Sequence, residues 1–210
     1  MVYIIMCGGN YREWQTPKQL TEINGEPIVA RTIRLLREAG VEDIRISSNN
    51  ILFEQFGVPV MHHDNGYDAH DGTFEGYWVD AFYEMDVPTC YIFGDVIFSP
   101  EAIRTIVETQ TDDIEFFASA PPFAPEYRKP WAEPFALKVV DNDHLTRSIG
   151  YTKRMYHAGE FVRKPIMWEL WQVIKLTEPN VIDYTNYTVI NDYTCDIDYP
   201  EEAELYGGLI

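Results

Sequence analysis

Two adjacent glycines near the start of the chain are followed by an arginine and a lysine, a combination that could bind a polyphosphate. The apolar run 2–6 is rich in β-forming residues and ends just before Gly8 and Gly9, which predicts a buried strand and a tight loop. Glycines let backbone N–H groups approach an anion closely, and Arg12 and Lys18 could neutralise its charge. The alternative is an ordinary strand-to-helix turn with two surface cations, and the segment that follows favours the phosphate loop.

The spacing of these residues differs from two common phosphate motifs. Gly9 is not followed by a Walker G-x-x-x-x-G-K-[ST] pattern, and no third glycine of a G-x-G-x-x-G pattern occurs before Gly25. The run 17–28, PKQLTEINGEPI, instead resembles the P-K-x-L-x-x-[IV]-x-G-x-P-[IL] segment of the nucleotidyltransferase-like family with a GT-A-type fold. This family includes sugar-phosphate nucleotidylyltransferases, cytidylyltransferases and molybdenum-cofactor guanylyltransferases. Its glycine loop is usually one residue longer, with a glycine where this chain has Tyr11.

Two segments that contain aspartate extend the resemblance. The apolar run 89–93 predicts a strand, and Asp95 follows it in GDVIF, at the end of the strand where ligands bind in α/β sheets. The family carries a metal-binding aspartate in a G-D-x-x-[FL] segment and another in a D-[IV]-D-[TS]-P-E-D ending, which DIDYPEE at 196–202 resembles. The resemblance implies a Mg²⁺ site formed by Asp95 and Asp198, with Asp196 as the alternative to Asp198. Both aspartates could instead cap the helices that begin nearby.

The resemblance also assigns the residues that would contact the two substrates. In the family, basic residues of the first loop stabilise charge on the phosphates, which implies catalytic roles for Arg12 and Lys18. Lys153 and Gly159 fall where many members have E-K-P and N-A-G-[IL]-Y segments, and they would bind the acceptor, although this chain lacks the glutamate and the asparagine. The residues assigned to the nucleotide are Cys7, Gly8, Gly9, Asn10, Gly72, Thr73 and Gly76.

The segment 62–73 contains several histidines and aspartates, yet their spacing argues against a metal centre. Adjacent His62 and His63 would point to opposite sides of an extended chain, and no pair has the i, i+4 spacing of a helical zinc motif. We interpret the segment as a nucleotide-facing loop, with a plain solvent loop as the alternative.

Alternating strand and helix patterns predict the scaffold for these residues. Apolar residues at helical spacing predict a helix over 28–39, and apolar runs predict strands at 44–47, 58–61 and 114–120. This alternation predicts an α/β fold, with one domain over 1–210 built on a mostly parallel, doubly wound sheet.

The segment 121–164 interrupts the alternation and predicts a small inserted antiparallel β-lobe. Its first part, 121–135, holds five prolines and four aromatic residues and would form a stiff loop. Residues 136–140 and 145–149 then predict a hairpin. In the family this region forms the acceptor half of the site and often a contact between subunits of a homo-oligomer.

The chain carries a net charge of −18, from 16 basic and 34 acidic residues. Such a surface repels nucleic acids and anionic membranes, which argues against both as partners. The basic pairs 128–129 and 153–154 would reverse the potential locally for an acceptor phosphate, or else they are solvated charges. Three widely separated cysteines, no apolar run long enough to span a bilayer and no signal pattern lead us to expect a reduced cytoplasmic protein.

The resemblance implies an enzyme that transfers a nucleoside monophosphate from a nucleoside triphosphate to a sugar phosphate or an alcohol phosphate and releases pyrophosphate. The product would be an NDP-sugar or a CDP-alcohol, with CTP slightly preferred as the donor because the chain is small. Two other classes stay open. Asp196 and Asp198 form the D-x-D pattern of GT-A glycosyltransferases, which use nucleotide-sugar donors, and the short glycine loop fits a non-catalytic nucleotide sensor.

Overall fold

The computed structural model describes residues 1–9, 14–63 and 77–210, in which strands and helices alternate along the chain. The strands are β1 (Val2–Met6), β2 (Glu22–Ile23), β3 (Glu26–Pro27), β4 (Ile44–Ser48), β5 (Val60–His62), β6 (Thr89–Phe93), β7 (Val96–Ile97), β8 (Ile114–Ala118), β9 (Pro134–Val139), β10 (Thr188–Val189) and β11 (Cys195–Asp196). The helices are α1 (Ile28–Glu38), α2 (Pro100–Glu108), α3 (Asn142–His157), α4 (Met167–Ile174) and α5 (Glu202–Gly207). Short 3-10 turns form at Lys18–Leu20, Ile51–Phe56 and Trp78–Ala81.

Seven strands of the described residues form the central sheet, in the order β10-β8-β9-β6-β1-β4-β5. Neighbouring strands run parallel except at β9, which is antiparallel to both β6 and β8. Every residue of β1 and β6 is buried, and because alternate side chains of a strand point to opposite faces, both faces of the sheet are covered there. The predicted α/β fold with a large, mostly parallel sheet is confirmed.

Four of the five helices in the described residues pack in two pairs, α1 with α2 and α3 with α4, and α5 contacts β2. The helix predicted over 28–39 matches α1, whose buried residues include Val29, Ile33 and Leu36. Aliphatic and aromatic side chains from the sheet and the helices form a large hydrophobic cluster. No helix among the described residues is long and apolar enough to cross a membrane.

The hairpin predicted within the segment 121–164 is wrong. Residues 134–139 form β9, which pairs inside the central sheet, and residues 142–157 form α3. The acidic run that suggested a turn starts this helix, because the Asp141 side chain accepts a hydrogen bond from the backbone N–H of His144 at 2.8 Å. The two small antiparallel sheets of the described residues, β2–β3 and β7–β11, lie outside this segment. Its role in acceptor binding stays a prediction.

Candidate active site

The ends of β1 and β6 lie very close together at the carboxyl edge of the central sheet. The backbone N–H of Gly94 donates a hydrogen bond to the Met6 carbonyl oxygen at 3.1 Å, and any side chain at position 94 would collide with that oxygen. Glycine is therefore required there, and the close contact brings Asp95 to the glycine loop. Within that loop Gly9 has a φ of 88°, a left-handed conformation that favours glycine. The first loop and the G-D segment thus meet at one edge.

Lys18 joins three of the sequence motifs. Its Nζ lies 2.5 Å from Asp95 Oδ2 and donates a hydrogen bond to the carbonyl oxygen of Ile197 at 3.1 Å. A buried ammonium group needs a compensating charge, and Asp95 supplies it. Because Lys18 is only 4% exposed, the alternative interpretation as a surface cation is wrong for this residue.

Three carboxylates gather next to this pair. Strand β11 pairs with β7, and the backbone N–H of Ile197 donates a hydrogen bond to the Asp95 carbonyl oxygen at 3.1 Å. One oxygen from each of Glu133, Asp196 and Asp198 lies within 4.8 Å of the others, so the three could hold one metal ion. This cluster contains both aspartates that the sequence offered as alternatives and adds Glu133, whereas the carboxylate of Asp95 contacts Lys18.

The ammonium group of Lys129 lies among these carboxylates. Its Nζ is 2.5 Å from Asp196 Oδ1, 2.6 Å from Asp198 Oδ2 and 3.7 Å from Glu133 Oε1. Burial lowers the pKa of Lys129, but the carboxylates outweigh it and raise that pKa, so the side chain stays charged.

The pKa values of the three carboxylates are shifted in different directions. Burial, assisted by the negative charge of Asp196, raises the pKa of Glu133 to about 8. Burial also raises the pKa of Asp196 to about 7, although Lys129 donates a hydrogen bond to it. At Asp198 burial acts in the same direction, yet the hydrogen bond from Lys129 prevails and lowers the pKa. Glu133 and Asp196 therefore keep their protons to a higher pH than Asp198 does.

These groups border a cleft of about 590 Å³. Large aromatic side chains form part of its wall, and one of them, Trp131, is 52% exposed and donates its indole N–H to Glu133. The predicted site residues that line the cleft are Gly8, Gly9, Lys18, Asp95, Asp196 and Asp198. The aromatic lining residues are Trp78, Phe93, Trp131, Trp168 and Tyr184.

Other predicted site residues lie elsewhere. Cys7 is buried in the core, where its carbonyl oxygen accepts a hydrogen bond from Ser48 Oγ at 2.8 Å and burial raises the pKa of its thiol. Lys153 Nζ lies 2.8 Å from Asp80 Oδ1 and borders a second, more open depression. Gly159 follows the end of α3 with a φ of 76°. The residues that lie outside the described part of the chain are Asn10, Arg12, Gly72, Thr73 and Gly76.

Three residues of the site were missed or misjudged in the sequence. Lys129 was noted only as half of a basic pair that could meet an acceptor phosphate, whereas its ammonium group contacts Asp196 and Asp198. Glu133 was missed, because it belongs to the same proline-rich loop, where no periodicity marks buried positions. Gln19 lies within the PKQL run, is 2% exposed and borders the cleft. Its Oε1 has no hydrogen-bond partner among the described residues, so a donor group on a bound ligand would satisfy it.

A glycine loop, a buried lysine and a carboxylate cluster at the carboxyl edge of a parallel sheet are the arrangement expected of an α/β enzyme that binds nucleotides. The family model of the MobA-like NTP transferase domain matches residues 3–139, more than half of the chain. The chain therefore belongs to the MobA-like NTP transferases, and the prediction of a nucleotidyltransferase is confirmed.

Solved structures share the fold. One is described as a glucose-1-phosphate thymidylyltransferase from Bacillus anthracis in complex with sucrose, with a TM-score of 0.61 and 16% identity, covering 99% of this chain and 94% of that one. Another is the CTP:phosphocholine cytidylyltransferase of Streptococcus pneumoniae, with a TM-score of 0.52 and 17% identity, covering 99% of this chain and 98% of that one. No curated protein matches the sequence.

Proposed function

We propose that this nucleotidyltransferase moves a nucleoside monophosphate from a nucleoside triphosphate to a phosphorylated small molecule and releases pyrophosphate. One observation carries the proposal: a single cleft unites the glycine loop, the buried Lys18 and a cluster of carboxylates. A cleft that offers both backbone N–H groups and hard oxygen ligands suits a metal-bound polyphosphate. Membership of the MobA-like family supports the same class of reaction.

The reaction needs positioned groups rather than an activated side chain. An oxygen of the acceptor phosphate attacks the α-phosphorus in line and forms a new P–O bond. The bond from the α-phosphorus to the bridging oxygen breaks, and its electron pair leaves with pyrophosphate. Because a phosphate nucleophile is already anionic, no general base is required. Lys18, Arg12 and the amides of Gly8 and Gly9 would stabilise the charge on the reacting phosphates.

The carboxylate cluster fits a divalent cation. Glu133, Asp196 and Asp198 offer oxygen atoms close enough to share one Mg²⁺, and oxygen is the ligand type that this cation prefers. When bound, the cation would neutralise charge on the phosphates of the donor. Asp95 was predicted as a ligand, but it lies outside the cluster of three carboxylates. Its carboxylate is 2.5 Å from Lys18 Nζ, and we assign it the task of orienting that ammonium group.

The acceptor would be a sugar phosphate or an alcohol phosphate, and the product an NDP-sugar or a CDP-alcohol. Lys153 and Gly159 keep their proposed acceptor roles, although neither lines the main cleft.

A matrix of substrates tests the proposal. Each of the four ribonucleoside triphosphates and dTTP is combined with glucose 1-phosphate, ethanolamine phosphate or choline phosphate, and pyrophosphate is detected in the presence of Mg²⁺. We expect pyrophosphate release that depends on one triphosphate, on one class of acceptor and on the metal. Omission of the acceptor provides the background rate for each triphosphate.

Two results of the same matrix would support other classes. Turnover of a nucleotide-sugar without any use of free triphosphates would identify a GT-A glycosyltransferase. Tight binding of a triphosphate without pyrophosphate release under any combination would identify a nucleotide sensor. Either result would overturn the proposal.

A further inference from the structure

The Lys129 ammonium group occupies the centre of the carboxylate cluster. Carboxylates whose oxygens lie within 4.8 Å of one another repel each other when they are ionised, and a cation between them reduces that repulsion. Lys129 Nζ lies at hydrogen-bond distance from Asp196 and Asp198, and its side chain is nearly fully buried. The protein therefore supplies its own counterion at the position where a metal ion shared by the cluster would bind.

The ammonium group and a metal ion cannot share this position. Mg–O bonds are about 2.1 Å long, whereas the Nζ–O distances to the same two aspartates are 2.5 and 2.6 Å. An ion bonded to both oxygens would therefore lie too close to the ammonium nitrogen. Two cations in such close contact also repel each other strongly. The cluster can thus hold one cation or the other.

We propose that Lys129 is a built-in cation that fills the metal-binding carboxylates of the free enzyme and is displaced when a divalent cation binds. The inference rests on the proposed function insofar as Glu133, Asp196 and Asp198 are taken as the metal site. As a consequence, the free enzyme should bind metal weakly, because the ion must expel an ammonium group that makes two short hydrogen bonds. A metal that arrives on a triphosphate gains the contacts of the phosphates with the cleft as well, so metal and donor enter together.

The displaced ammonium group has a place to go. Lysine carries a point charge on a flexible stem, and Lys129 Nζ already lies 6.0 Å from the centre of the Trp131 ring, which lines the cleft. A turn of the side chain toward that ring would bring the charge into the cleft that we assign to the phosphates. The same lysine would then serve the carboxylates in the free state and the substrates in the loaded state.

The first test measures binding of Mn²⁺ to the nucleotide-free protein by electron paramagnetic resonance. Lys129→Met removes the charge and keeps an unbranched side chain, and it should bind Mn²⁺ roughly tenfold or more tightly than the wild type, since no cation must be expelled. Lys175→Met is the matched control: Lys175 is also nearly buried and lies 3.5 Å from Asp183, outside the cluster. It should leave the Mn²⁺ affinity unchanged. Equal affinities in the wild type and Lys129→Met would overturn the proposal.

A second variant keeps the test valid if Lys129→Met does not fold. In a Glu133→Gln background, the additional change Lys129→Met removes the competing cation while both aspartates remain. The double variant should bind Mn²⁺ roughly tenfold or more tightly than Glu133→Gln alone. Equal or weaker binding in the double variant than in Glu133→Gln would show that Lys129 does not compete with the metal.

A direct measurement needs no variant to be stable. In protein labelled with ¹⁵N-lysine, the Lys129 ammonium signal should be protected from exchange with water in the absence of metal, because the group is buried and hydrogen-bonded. Titration with Mg²⁺ should shift this signal or remove it by faster exchange, while the signal of Lys175 stays in place. A Lys129 signal that is unchanged at saturating Mg²⁺ would overturn the proposal.

The two proposals fail in distinguishable ways. If Mn²⁺ binding and the lysine signal behave as expected but no substrate combination releases pyrophosphate, the exchange of cations stands and the proposed function fails. If pyrophosphate is released in a metal-dependent reaction while Lys129 never leaves the carboxylates, the proposed function stands and the exchange is wrong.

Discussion

Lys18 and Lys153 each pair with an aspartate, at 2.5 Å from Asp95 and 2.8 Å from Asp80, but the two pairs lie in different surroundings. The Lys18 side chain is 5% exposed, at the point where the ends of two buried strands meet. The Lys153 side chain is 35% exposed, on helix α3 beside an open depression. Sequence motifs suggested a phosphate ligand in both cases. Exposed ion pairs are common and contribute little, so a lysine–aspartate pair alone does not identify a site. The position of Lys18 at the ends of two adjacent buried strands is the better indicator.

The largest effect should come from the buried pair. Lys18→Met is expected to lower kcat for pyrophosphate release by about 10²-fold or more, the scale of losing one group that stabilises charge in the transition state. The same variant should lower the melting temperature, because it leaves the carboxylate of Asp95 without its cation. Arg12→Ala should cause a loss of activity of similar size. Rates near those of the wild type in both variants would remove the phosphate loop from the mechanism.

Substitutions of the carboxylates in the cleft should differ in how strongly they change the Mg²⁺ dependence of the activity. Asp198→Asn and Asp196→Asn are expected to raise the Mg²⁺ concentration for half-maximal activity by about tenfold or more, because each removes a charged oxygen ligand from the cluster. Asp95→Asn should mainly lower kcat, since the carboxylate of Asp95 contacts the ammonium group of Lys18. Mg²⁺ titrations of initial rates measure both quantities. A larger metal effect at Asp95 than at Asp198 would return Asp95 to the metal site.

The residues of the buried pair were predictable because each follows a recognisable strand or motif. Apolar runs mark β1 and β6, and in a parallel sheet their carboxyl ends must share one edge, which brings Gly8 and Asp95 together. Lys129 and Glu133 were not predictable in the same way. Their loop has no periodicity, and the two aspartates of the cluster lie more than sixty residues away in sequence, so only the folded chain shows the cluster.

Helix α3 shows how a local signal can mislead. Three acidic or amide residues between two apolar runs are typical of a hairpin turn, but the same residues are good helix caps. Buried positions Leu145, Ser148, Thr152 and Met155 recur every three or four residues, which is the period of a helix rather than a strand. Counting that period across the whole run, including its polar members, would have predicted the helix.

A moderate effect is expected from pH on the stability of the metal-free protein. Burial raises the pKa of Glu133 to about 8, whereas its ordinary value is 4.5. Between these values the folded protein holds a proton that the unfolded chain has released, so stability should fall as pH rises from about 4.5 to 8. Asp196, with its pKa raised to about 7, acts in the same direction. Thermal melts in EDTA should therefore show a higher melting temperature at pH 6 than at pH 8.

The control for this pH effect is Glu133→Gln, which cannot release a proton. Its melting temperature should depend less on pH over the same interval, and each kcal/mol of difference corresponds to roughly 2–4 °C in a chain of this size. An unchanged pH dependence in Glu133→Gln would show that other groups cause it. Raising the Mg²⁺ concentration at pH 8 should restore part of the lost stability, since metal binding favours the ionised cluster.

The smallest effect should come from the exposed pair. Lys153→Ala breaks an ion pair whose two side chains are each about one-third exposed, and such pairs contribute about 1 kcal/mol or less to stability. Lys153 does not line the main cleft, but His63 borders both the cleft and the depression beside Lys153, so a long acceptor could reach it.

We expect Lys153→Ala to cause less than about a threefold change in kcat/KM for a small acceptor and an unchanged KM for the triphosphate. If Lys153→Ala instead raises the KM of the acceptor about tenfold, then the acceptor extends past His63, and the exposed lysine belongs to the site despite its surroundings. The same measurement with Lys175→Ala, whose pair with Asp183 lies outside both cavities, separates that outcome from a general effect of removing a paired lysine.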